Sequence, residues 1–221
     1  MLKTVFLVLL AAASVAHLYG SWVRKEKIRL ITKPVLLLFI VLYYVFFGVR
    51  VIPLLIAALI ASWLGDVLLM PHGNAWFTAG GIAFMLAHFL FIAVYVPQVD
   101  FSKVNWFVTI PAALVYYAIS AVIIHCLKPT TPKKMQIPMY IYLLANSTMN
   151  VFALMQLISN PCAGSAVAYI GAVLFFISDC TLFLVRYYKK PDIIFKRHFT
   201  VMLTYILGEF MITQGMIMLS K

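Results

Sequence analysis

The chain has 221 residues, of which 65% are hydrophobic and 10% charged. That is too apolar for a soluble domain and reads as a polytopic membrane protein. The net charge of +11 invites a nucleic-acid partner, but the placement of the charges argues against one.

A helix needs about 20 apolar residues to cross a bilayer. In chain order, eight spans are predicted, at 4–20, 34–49, 51–70, 77–97, 106–126, 138–158, 165–186 and 200–219. The loops between them are short. Residues 1–221 therefore read as one polytopic transmembrane domain, an all-α integral membrane protein of eight transmembrane helices. With the N-terminus outside, thirteen lysines and arginines fall in the cytoplasmic stretches 24–33, 128–134 and 186–197. Four fall on the other side: Lys3, Arg50, Lys103 and Lys221. This asymmetry follows the positive-inside rule and places both termini outside. The basic charge is then mostly topological, with attraction to anionic lipid headgroups as a second use. The first span has signal-peptide features, Lys3 and an apolar run ending in Ala13-Ser14-Val15-Ala16. Cleavage would strand residues 24–29 outside, so the span is expected to be retained.

Six acids occur in the whole chain, and three stand inside predicted spans: Glu209 mid-span on span eight, and Asp66 on span three and Asp179 on span seven, the two aspartates. A carboxylate in hydrocarbon costs roughly 2.5–3.5 kcal/mol even on the lenient insertion scale. Both aspartates lie near the cytoplasmic end, Asp66 about 6 Å before Met70 and Asp179 about 10 Å before Arg186 at 1.5 Å per residue. Pro34 is expected to open span two and Pro138 span six. The offset of four spans is that of two parallel four-helix halves, or a coincidence of few marks. Lys33 begins span two on the same side. On span six, Tyr142, Asn146 and Asn150 share one helical face, and Tyr140 lies nearby. His88 shares a stripe with Gly80 and Phe84, and Glu209 one with Tyr205 and Thr213. These side chains are expected to form one pocket opening toward the cytoplasmic leaflet.

Two aspartates in contact cannot both ionise cheaply. They would hold one carboxylic acid and one carboxylate, a ready general acid and general base. The plainer reading is two separate interhelical hydrogen bonds, or ion pairs with Lys33 or His88. Lys33 could bind a phosphate, pair with an aspartate or snorkel to the interface. Glu209 carries a similar burial cost without a counterpart in the other half. Cys126, Cys162 and Cys180 lie at different depths and suggest neither a disulfide framework nor a metal cluster. There is no His-Glu-x-x-His motif, phosphate loop or Gly-x-Ser-x-Gly elbow. No metal and no cofactor are expected.

The chain resembles a known family, the lysoplasmalogenases or YhhN-like transmembrane proteins. The matching pieces are Thr32-Lys33-Pro34, Ser62-x-x-Gly65-Asp66-Val67-Leu68-Leu69 and Phe77-x-x-Gly80-x-x-Ala83-Phe84-x-x-x-His88. Gly171-Ala172-x-x-Phe175-x-x-Ser178-Asp179 and Tyr205-x-x-Gly208 follow in order. Glutamine often follows that last glycine in the family pattern, where this chain has Glu209. The resemblance implies an eight-helix enzyme cleaving the vinyl ether of lysoplasmenyl-phosphocholine or -ethanolamine. The products would be a fatty aldehyde and the glycerophospho-alcohol. Protonation of a vinyl ether and capture of the oxocarbenium ion by water need one acid and one carboxylate. Asp66 and Asp179 would supply them, and Lys33 would hold the substrate phosphate. His88, Tyr140, Asn146, Tyr205 and Glu209 would line the site or position substrate and water. The expected partners are the lysoplasmalogen and the surrounding membrane lipids. A bacterial cytoplasmic membrane and the endoplasmic reticulum both suit the chain. Two other classes fit the same acids: a small lipid or proton-coupled transporter, and a hydrolase of another lipid bond.

Overall fold

The structure is a computed structural model that describes residues 2–220. Lys221, counted on the outer side, lies outside the described residues. Eight helices follow one another: α1 Leu2–Trp22, α2 Glu26–Phe47, α3 Pro53–Leu68, α4 Asn74–Tyr95, α5 Trp106–Leu127, α6 Lys133–Ser159, α7 Ala163–Tyr187 and α8 His198–Leu219. Short 3₁₀ turns lie at Val96–Gln98 and Pro191–Ile193. Hydrocarbon leaves no solvent partner for backbone N–H and C=O groups, so helices that satisfy them internally are the expected solution. Seven of the eight are long and apolar enough to cross a membrane.

The exception is α3. The sequence predicts a span over 51–70, but the helix has 16 residues, about 24 Å at 1.5 Å per residue against a hydrocarbon core of about 30 Å. Pro53 sets its start at the first turn, where the missing N–H is no loss. Its other end turns away at Leu69, whose N–H reaches Gly65 O at 2.9 Å. Beyond this stop, Leu69, Met70, Pro71, His72 and Gly73 line a recess.

Pro34 and Pro138 do not open their helices. α2 begins at Glu26 and α6 at Lys133, so both prolines lie inside. The first turns are built from charged residues that the hydropathy pattern assigns to loops. The Pro34 carbonyl accepts a side-chain hydrogen bond from Trp63 Nε1 at 2.8 Å. This joins α2 to α3.

Helix pairing is set by small residues, which let backbones approach in lipid. On α7 and α8, Gly164 and Gly171 face Gly215 and Gly208 at matching seven-residue spacings. A Cβ at Gly171 would stand 2.5 Å from Ile212 N, and one at Gly215 2.5 Å from Ala168 N. On α3 and α4, a Cβ at Gly65 would enter the Phe84 ring and one at Gly80 would stand 2.7 Å from Leu69 Cγ. One continuous cluster of buried apolar side chains draws on all eight helices, from Leu10 to Ile217. Sequential contacts α1–α2–α3–α4 and α5–α6–α7–α8 recur in the two halves. Any up-and-down bundle has that order.

Candidate functional site

A cavity of about 610 Å³ opens among the ends of α1, α2, α3, α4, α7 and α8. It lies on the face that the charge rule assigns to the cytoplasm. Asp66 and Asp179 both line it, and both are almost fully buried.

Asp66, in the last turn of α3, is held by two neighbouring helices. Lys33 Nζ of α2 lies 3.3 Å from Oδ1, and the Tyr205 hydroxyl of α8 donates to Oδ2 at 2.8 Å. Each carboxylate oxygen thus has a donor.

Asp179 of α7 is held by α4 and α6. Asn146 Nδ2 donates to its Oδ2 at 3.0 Å. The Asn146 amide is itself oriented by Asn150, whose Nδ2 donates to Asn146 O at 3.0 Å and to Oδ1 at 3.2 Å. His88 Nε2 also lies 3.0 Å from Asp179 Oδ2. His88 Nδ1 is 2.7 Å from the Phe84 carbonyl. A carbonyl can only accept, so Nδ1 carries a hydrogen. Nε2 lies close to Oδ2 without the alignment of a hydrogen bond.

Aromatic rings separate the two networks. Phe84 and Phe175 each pack edge-on against Tyr205, at centroid separations of 5.7 and 5.6 Å. Phe175 stacks on His88 at 4.9 Å. Among the described residues, no hydrogen bond joins the two carboxyl groups. The acids share a cavity, and each has its own partners.

Of the residues singled out in the sequence, Lys33, Asp66, His88, Asn146, Asp179 and Tyr205 fall in these two networks. Tyr140 does not. It is half-buried, off the cavity wall, with its hydroxyl 3.5 Å from Gln136 Oε1 on its own helix. Two residues along, on the face of Asn146 and Asn150, Tyr142 packs its ring 5.0 Å from His88 and takes the place expected of Tyr140. Glu209 is also off the cavity wall. It is fully buried one turn beyond Tyr205, with Ser62 of α3 as a polar neighbour. Thr213 on the same stripe donates to its backbone carbonyl at 2.8 Å.

The rim holds residues that the charge count assigned mostly to topology, with anionic lipid headgroups as a second use. Arg24, Arg29, Arg186, Lys196 and Arg197 line the cavity. Two sequence spacings carry the signal. Arg29 lies four residues before Lys33, and Arg186 seven after Asp179, so each shares a face with a residue already singled out.

The model of the YhhN family matches residues 28–216. No curated protein matches the chain, and no solved structure does.

Proposed function

The chain belongs to the YhhN family, to which the lysoplasmalogenases belong, and from that premise we propose that it hydrolyses the vinyl ether of lysoplasmenyl lipids within the membrane. The observation that carries this reading is the pair of buried aspartates on one cavity. One is ion-paired to a lysine, and the other lies 3.0 Å from a histidine nitrogen.

The asymmetry supports an assignment of roles. Asp179 delivers a proton to the β-carbon of the vinyl ether, whose π electrons form the new C–H bond. The oxocarbenium ion left at the α-carbon lies against the Asp66 carboxylate, which stabilises positive charge. Water adds to that carbon and gives a proton to Asp66. The hemiacetal then collapses. Its hydroxyl proton returns to Asp179, the C–O bond to glycerol breaks, and Asp66 returns its proton to the departing oxygen. Both aspartates end as they began. Tyr205 and Asn146 act as positioning residues through their bonds to the two carboxyl groups. The Phe84–Phe175–Tyr205 cluster limits water behind the reacting carbon.

The test is aldehyde release from a lysoplasmenyl lipid by purified protein in detergent, beside the saturated alkyl-ether analogue. Aldehyde is expected from the vinyl ether alone and from none of the lipids with the Asp66→Asn, Asp179→Asn double variant. An active double variant overturns the roles given to the aspartates. Silence of the folded wild-type chain on every headgroup overturns the hydrolase reading.

A further inference from the structure

The cations at the cavity rim are arranged more specifically than an orientation signal requires. Among the described residues, the non-glycine residues with positive φ are Arg24 (57°), Lys196 (48°) and Arg197 (38°). All three line the cavity. Left-handed backbone is uncommon for such side chains and clusters at functional sites. Two guanidinium groups are also incompletely used. Nε of Arg29 and Nε of Arg197 are enclosed, and neither meets an acceptor among the described residues. Arg197 spends one terminal nitrogen on Asp192, at 2.5 Å. Among the described residues, Arg24, Arg29 and Lys196 have no carboxylate within 4.0 Å, and Glu26 acts on Arg29 only at longer range. Lys33, the cation that the sequence assigns to a phosphate, is already engaged with Asp66. With one contact of Lys33 spent on Asp66, further groups are needed to enclose a phosphate.

We propose that Arg24, Arg29, Lys196 and Arg197 form an anion site at the cavity mouth, which takes the phosphate of a lysolipid and binds headgroups of net negative charge more tightly than choline. The identification of the lipid rests on the reading given above; the anion site rests on the rim itself. Enclosed N–H donors without acceptors are costly. Phosphate oxygens match a guanidinium fork in geometry and charge. A quaternary ammonium finds little here. The rim carboxylate Glu26 faces His72 at 3.8 Å. The Phe77 ring, an available aromatic face, already carries the Arg186 guanidinium at 4.8 Å.

Binding of non-hydrolysable alkyl-ether lysolipids to the full chain in neutral detergent tests this without turnover. Calorimetry would compare phosphomonoester and phosphocholine headgroups on the same chain, with inorganic phosphate as a third probe. The phosphomonoester lipid is expected to bind at least about tenfold more tightly than the choline lipid, with the gap narrowing as salt screens the rim. Arg29→Gln with Arg197→Gln should close most of that gap, and Arg29→Lys with Arg197→Lys should keep much of it. Equal affinities that ignore both variants overturn the site. Inorganic phosphate binding as tightly as the lipid overturns the lipid assignment. Loss of aldehyde release with headgroup discrimination intact sinks the hydrolase reading alone.

Discussion

Asp66 and Asp179 occupy one cavity in different company. Asp66 draws on α2, α3 and α8 and faces a lysine and a phenol. Asp179 draws on α4, α6 and α7 and faces a histidine and an amide. The first is ion-paired to a lysine, and the second lies beside a histidine. Under the proposed mechanism, identical side chains at similar depth take opposite roles because their neighbours differ.

The largest effect should come from breaking the proton-bearing side. Asp179→Asn removes the acid, and turnover of a lysoplasmenyl lipid should fall by about 10³-fold, since general acids contribute about 10²–10⁴-fold. Asp66→Asn should cost about 10²-fold, because water can still capture a cation that forms. Single-variant aldehyde kinetics check the order, and a larger loss at Asp66 would reverse the roles. Next comes the ion pair. Lys33→Met leaves a buried carboxylate uncompensated, which typically costs about 3–5 kcal/mol. The partial exposure of Lys33, 17%, places the loss at the lower end, about 3 kcal/mol. Thermal unfolding in detergent measures it, and Lys33→Met with Asp66→Asn should recover most of the stability without the activity.

The seam that holds the Asp179 helix offers a smaller, structural test. Gly171→Leu forces a side chain against the α8 backbone at Ile212 N and should destabilise by about 1–3 kcal/mol through overpacking. The smallest effect is expected at Tyr140. Tyr140→Phe should leave kcat/KM within about twofold, whereas Tyr142→Phe, beside His88, should lower it further. Equal effects would argue that the Tyr142 hydroxyl contributes nothing beyond its ring.

Much of the site was legible because its signals are local. Asp66 and Asp179 stand out by the cost of charge in hydrocarbon. Asn146 and Asn150 follow from a four-residue spacing, and Tyr142 lies on that same face. Tyr140 was read onto the site from proximity in sequence, although a residue two positions from Tyr142 points about 200° around a helix with 3.6 residues per turn. Glu209 carried the same local signal as the aspartates, yet it is buried in the helix packing and off the cavity wall.

By itself, the sequence determined that the chain is a helical membrane protein and which acids lie at depth. Hydropathy and burial cost are properties of single segments. The tertiary structure decided which partners each acid received, that the end of α3 borders a cavity, and that two of the three basic stretches, 24–33 and 186–197, meet at its rim. Those outcomes depend on the rotation and spacing of helices, set by close backbone contacts such as Gly171 with Gly208, between residues far apart in the chain.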